Sequence, residues 1–139
     1  MAEESTTPDL VELTREAFEA ADRRDIDVLM SIYAPDAVLE AMGMGTSFEG
    51  LAAIRGFRED FTNAYEEYGI EPEAILDLGN GVVFAVIVQQ GRPVGSSAHV
   101  QMRGANVGVF ADGLLVRHAL YTEIDEARAA AERLAEERG

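Results

Sequence analysis

The sequence predicts an α+β fold in which three N-terminal helices pack on a strongly curved antiparallel sheet as a cone-shaped roll, and a C-terminal helix closes the chain. Three observations predict it. Apolar residues recur at three- and four-residue spacing through the first half, strand-like runs separated by Gly-containing turns fill most of the second half, and the last residues return to a helical stripe. A length of 139 residues with 47% hydrophobic side chains suits one domain spanning 1–139 with a core of its own.

The opening residues 1–7 are polar and acidic, which reads as a flexible start and not as a secretory signal. Thr7-Pro8-Asp9 is a helix start, with a capping hydroxyl, a proline and a carboxylate near the positive end of the dipole. Leu10, Leu13, Ala17, Phe18 and Ala21 then form one apolar stripe. Asp25 caps a second, short helix carrying Ile26, Leu29, Met30 and Tyr33 on one side, and Ala34-Pro35-Asp36 ends it. A short strand, Ala37 to Met42, leads into a loop, Gly43 to Ser47. The third helix carries Leu51, Ile54, Phe57 or Arg58, Phe61, Ala64 and Tyr65. Four strands follow at Ala74–Leu78, Val82–Gln90, Ser97–Phe110 and Leu114–Glu123, joined by hairpin turns. Val82 to Val88 has no polar alternation, so both its faces are covered, one by the helices and the other by a second subunit; a homodimer through the outer sheet face is the expectation. Residues 125–138 close the chain as a charged helix with Ala127, Ala130, Ala131 and Leu134 on one stripe.

Composition excludes several function classes. The chain has no cysteine, hence no disulfide, thiolate metal site or thiol nucleophile. A net charge of −15 and the absence of lysine argue against nucleic acid and anionic membrane as partners. No apolar run approaches the roughly 20 residues of a membrane-spanning helix, and a cytoplasmic protein is expected.

The order and spacing of Tyr33-Ala34-Pro35-Asp36-Ala37-Val38, Phe48-Glu49-Gly50, Ile54-Arg55-Gly56-Phe57 and Leu76-Asp77-Leu78-Gly79 resemble those of SnoaL-like proteins of the nuclear-transport-factor-2-like superfamily. Ala105-Asn106-Val107, Asp112-Gly113, Val116-Arg117, Tyr121 and Asp125-Glu126-Ala127 look like the last hairpin and tail of the same family. The resemblance implies a pocket for an apolar or polycyclic organic ligand without a cofactor, and an isomerase, cyclase or hydratase activity on an apolar oxygenated substrate. The same fold also serves as a non-catalytic binding protein or a dimerisation module. In the ketosteroid isomerases of this superfamily, a general base would fall near Ala41, a helix-1 tyrosine near Ala17 and a protonated aspartate at Asn106. None of the three acids or donors is retained except as the neutral amide of Asn106, which argues against that mechanism. A second family arginine would fall at Ala119, leaving Arg117 as the cation there.

Period-2 alternation puts Arg117, Ala119 and Tyr121 on one strand face, which the resemblance makes the pocket face. Arg117 either orients substrate or pairs internally with Glu40 or Asp36. Tyr121 donates to a ligand oxygen or fills the core with its ring. Asn106 is a donor on the neighbouring strand, or a backbone-bonded residue beside a bulge at Arg103-Gly104. His99 is a candidate general base whose facing that bulge leaves open, and His118 alternates to the dimer side. Two histidines so placed without inward carboxylates make no metal site. Met42, Met44, Phe57, Phe61 and Tyr65, together with Tyr33 and Ala41, would line the cavity, the methionines forming an adaptable mouth.

Overall fold

In the computed structural model, which describes residues 9–139, Asp9 caps the first helix by accepting from the Glu12 amide at 3.1 Å. Thr7, Pro8 and the opening residues lie outside the described residues. Helix α1 (Leu10–Asp22) turns through Arg23 and Arg24 into α2 (Ile26–Ser31), capped as expected by Asp25 on the Val28 amide. The second helix ends at Ser31, earlier than its periodicity suggests, because Tyr33-Ala34-Pro35-Asp36 already belongs to strand β1 (Tyr33–Ala41). The residue before a proline favours extended backbone, so these positions start the strand instead of stopping the helix. A single 3-10 turn, Met42–Met44, leads to β2 (Thr46–Glu49), which pairs antiparallel with β1 where a loop was expected.

Helix α3 (Leu51–Asn63) follows, then β3 (Tyr65–Gly79), β4 (Val82–Pro93), β5 (Val100–Ala111), β6 (Leu114–Tyr121) and α4 (Ile124–Arg138). The six strands form one sheet in the order β2-β1-β6-β5-β4-β3. Every neighbouring pair is antiparallel except β1 and β6, which run parallel with Leu39 opposite His118. Strand β3 starts nine residues before its apolar signal does, at Tyr65 rather than Ala74. It is an edge strand, so its early residues can be acidic and include Pro72 without breaking an inner ladder. Its register against β4 slips at three places, between Tyr65 and Glu67, Pro72 and Ala74, and Asp77 and Gly79, and such slips bend a strand. By contrast, β4 and β5 pair without interruption from Val82 opposite Val109 to Gly91 opposite Val100, so the expected bulge at Arg103-Gly104 is absent. Gly104 answers a different need: a Cβ there would lie 2.7 Å from the Tyr121 carbonyl oxygen on β6.

The two faces of the sheet carry separate cores. On the inner face, α1, α2 and α3 bury Ala20, Leu29, Met30, Leu39, Ile54 and Val83. On the outer face, α4 lays Ala127, Ala131 and Ala135, four residues apart, against Val82, Phe84, Val86, Ala105, Val107 and Val109. Arg128 adds a guanidinium 5.9 Å above the Phe84 ring. The outer cover of the apolar strand Val82–Val88 therefore comes from the chain's own C-terminal helix, which removes the observation that suggested a second subunit there. Among the described residues no helix is long and apolar enough to cross a membrane.

Candidate functional site

Between α1, α2, α3 and the inner sheet face lies a cavity of about 460 Å³, walled largely by apolar side chains. Its wall alternates with the outer core along each strand, as the strand period requires. Ile87 and Gln89 of β4, Gly104 and Asn106 of β5, and His118 and Leu120 of β6 face inward, while their sequence neighbours Val86, Ala105, Val107 and Ala119 face α4. The helices contribute Ala17, Phe18, Leu29, Phe57, Arg58 and Phe61. Gly43, Met44, Met102 and Thr122 form the rim, with Met44 68% and Met102 46% exposed. Among the described residues no aspartate or glutamate lines it.

A polar relay runs through this apolar wall. The Arg58 guanidinium donates to the Tyr33 hydroxyl oxygen at 2.7 Å, and Tyr33 Oη lies 2.7 Å from Nδ1 of His118. Since that oxygen already accepts from arginine, its own proton goes to Nδ1. Arg58 also approaches Nδ1 at 3.3 Å. With donors directed at Nδ1, the imidazole proton resides on Nε2, for which no protein acceptor is present among the described residues. Burial, reinforced by the Arg58 charge, pushes the His118 pKa down to about 3, so the ring is neutral at physiological pH. It offers an N–H and no base.

Asn106 is buried, lines the cavity, and its side-chain amide makes no hydrogen bond within the described residues. Behind Asn106 and His118 a further apolar void of about 40 Å³ reaches toward Val83 and Phe110. The Asn106 amide borders the open space, where a bound ligand or water would complete its hydrogen bonds.

The other expected site residues divide. Tyr33, Ala41, Met44, Phe57 and Phe61 border the cavity, and Phe57 packs on Phe48 at 4.6 Å between ring centroids. Met42 sits beside the mouth but outside the lining, 45% exposed on the 3-10 turn. Tyr65 starts β3 and stacks with Phe61 and Tyr68, away from the cavity. His99 belongs to the β4–β5 connection and, with Glu67, Tyr68 and Gln101, lines a separate surface cleft outside the cavity. Arg117 is on the outer face, where a two-pronged ion pair with Glu40, at 3.1 and 3.0 Å, holds it in solvent. Ala119 shares that outer face, under α4. Tyr121 touches the cavity rim, but its ring packs with the outer core, and its pKa is raised by burial first and then by Glu126 and Glu40 on that side. The inward and outward sets on β6 are thus the reverse of the expectation: His118 and Leu120 face the cavity. The parallel partner explains it, since Leu39 and Ala41, which face the helices, stand beside His118 and Leu120, and Glu40 beside Ala119.

Arg58 went unassigned, although the sequence carried a signal. It stands four residues after Ile54 and three before Phe61, an arginine on an apolar helix stripe, which is where a guanidinium reaches inward. Gln89, Met102 and Leu120 had no comparable mark. No group of three or more His, Asp or Glu is placed to hold a metal among the described residues.

The architecture is that of the nuclear-transport-factor-2-like fold, and the chain belongs to the SnoaL-like domain family, whose model matches residues 14–118. Among solved structures it resembles an NTF2-like protein of unknown function from Burkholderia pseudomallei K96243 (TM-score 0.74, 18% identity, covering 90% of this chain and 98% of that one). It is similar to a putative SnoaL-like polyketide cyclase from Shewanella putrefaciens CN-32 (TM-score 0.70, 12% identity, 92% and 98% covered). TerC, co-crystallized with polyporic acid, aligns with a TM-score of 0.71 at 16% identity, over 88% of this chain and 97% of its own. These identities establish a shared fold. No curated protein matches the chain.

Proposed function

We propose that the cavity binds an apolar, oxygenated small molecule and polarises one of its oxygens between the Asn106 amide and Nε2–H of His118. What supports this is that Asn106 and His118, on neighbouring strands of a largely apolar wall, carry an amide and an Nε2–H with no hydrogen-bond partner among the described residues. A neutral imidazole whose proton is fixed on Nε2 acts as an electrophilic donor to a developing oxyanion, with no change of protonation in the protein. The polyporic acid co-crystallized with TerC and the likeness to a putative SnoaL-like polyketide cyclase agree with a cyclic oxygenated ligand.

Within the SnoaL-like range, cyclisation and hydration suit this wall better than isomerisation. Abstraction of a carbon-bound proton needs a base, whereas the lining offers no carboxylate and Nδ1 of His118 is occupied. In a hydration, or a cyclisation by a hydroxyl of the substrate, the new C–O bond forms as the carbonyl π bond opens to an oxyanion held by the two donors, and the nucleophile's proton passes through water to that oxygen, so no carbon-bound proton is abstracted. The missing carboxylate equally favours a second reading, a binding protein that holds such a ligand without turnover. Calorimetric titration with a panel of fused-ring ketones and quinones, followed by product analysis by NMR, tests both. Asn106→Leu should keep the fold and weaken the best ligand by roughly tenfold. Unchanged affinity in Asn106→Leu would refute the site, and tight binding without any product would select the binding protein.

A further inference from the structure

We infer that the ligand of this cavity is an organic anion whose charged oxygen is held against Arg58; the inference rests on the reading that the cavity binds a small molecule. Arg58 supplies the only charged side chain in the cavity lining described above. Its hydrogen bonds go to two neutral groups, the Tyr33 hydroxyl and Nδ1 of His118, both through one terminal nitrogen. Its Nε is buried with no partner among the described residues.

The lack of a carboxylate at Arg58 is not a shortage of acids, since the chain has 26 Asp and Glu against 11 basic residues. Arg55, Arg92, Arg103, Arg117 and Arg128 each pair with a glutamate, yet among the described residues Arg58 pairs with none. Asp25 and Glu59 share with Arg58 a neighbouring cleft of about 320 Å³ between the helices, but both are committed elsewhere. Asp25 caps α2 and pairs with Arg23, and Glu59 pairs with Arg55. A guanidinium at the wall of an apolar space, held by neutral neighbours through one terminal nitrogen, lacks one thing: a planar or tetrahedral oxyanion that accepts from its terminal N–H groups. Carboxylates, enolates, phenolates and sulfonates share that chemistry. The Tyr33 and His118 contacts fix the guanidinium in place before the ligand arrives, which lowers the entropy lost on binding.

A matched pair of fluorescent dyes reads the charge directly. Anilinonaphthalene sulfonate carries an anion, and phenylnaphthylamine is the same skeleton without it. Wild type should bind the sulfonate, and Arg58→Met should weaken it roughly tenfold or more while leaving phenylnaphthylamine within about twofold. Equal sulfonate affinity in wild type and Arg58→Met overturns the inference and leaves the small-molecule cavity standing; if wild type binds neither dye, the cavity reading itself falls and this inference with it. Arg58→Gln, which keeps a donor for Tyr33, carries the same comparison if Arg58→Met does not fold. A competition in wild type needs no variant: naphthoate should displace phenylnaphthylamine roughly tenfold more effectively than methyl naphthoate. An ester that competes as well as the acid would also overturn the inference.

Discussion

Replacing His118 with glutamine should flatten the loss of stability on acidification. In the folded chain, burial and Arg58 hold the imidazole neutral down to about pH 3, whereas in the unfolded chain it takes up its proton near 6.5. Between these values the unfolded state binds more protons, so stability is fully present above about pH 6.5 and falls as pH drops toward the folded value. At pH about 5, the unfolded imidazole is mostly charged and the expected cost is about 2 kcal/mol relative to pH about 7.5, from RT times the logarithm of one plus the excess proton binding. That pH stays above the isoelectric point near 4.3, so the protein still carries net charge. The remaining side chains are the same in both proteins and cancel in the comparison. Urea unfolding followed by far-UV circular dichroism at the two pH values gives the number. His118→Gln keeps a polar partner for the Tyr33 hydroxyl but cannot charge, so its stability should fall by about 2 kcal/mol less than wild type over this range. Parallel losses, within about 0.5 kcal/mol of one another, would show that His118 protonates readily when folded and would refute the neutral-donor account.

Other perturbations address the two faces of the sheet. Arg117→Leu breaks an exposed pair with Glu40, so urea unfolding should show a change of less than about 1 kcal/mol and titration no loss of ligand affinity; a large loss of affinity would return Arg117 to the site. Ala131→Glu places a carboxylate at a position with no solvent access against Val107 and its neighbours, and should cost more than about 3 kcal/mol by urea unfolding. Hydrogen exchange should then show α4 released while the inner-face helices stay protected, and uniform protection would contradict the separate outer core.

The helical stripes of α1 and α3, the Asp25 cap, the apolar run of β4 and the alanine stripe of α4 were legible because each is local. Periodicity and capping act within a few residues. What the sequence hid depends on neighbours distant along the chain. Strand β2 and the first half of β3 are edge strands, whose polar and acidic residues satisfy the backbone pairing and carry no apolar pattern. The facing of β6 could not be fixed by alternation alone, since alternation separates Arg117 from His118 without saying which of the two looks inward. The parallel register with β1 decides that, by setting His118 beside the buried Leu39. Asn106 kept its inward place because β4–β5 pairing is continuous, whereas Tyr65 lost its lining role when α3 ended at Asn63. The homodimer expectation followed from an apolar strand face whose cover turned out to be α4, at the far end of the chain.

That strand-by-strand alternation has a consequence for how this protein could change. Through the middle of β4 and β5, residues that pack on α4 (Val82, Phe84, Val86, Ala105, Val107 and Val109) alternate with residues that face the helices and the cavity (Val83, Ala85, Ile87, Gly104, Asn106 and Gly108). The lining can therefore drift at Ile87, Gln89 or Leu120 while the anchoring set at Val86, Phe84 and Val107 remains untouched. A scaffold divided in this way accepts new guests without renegotiating its own cohesion, which suits a fold whose members differ in chemistry far more than in shape.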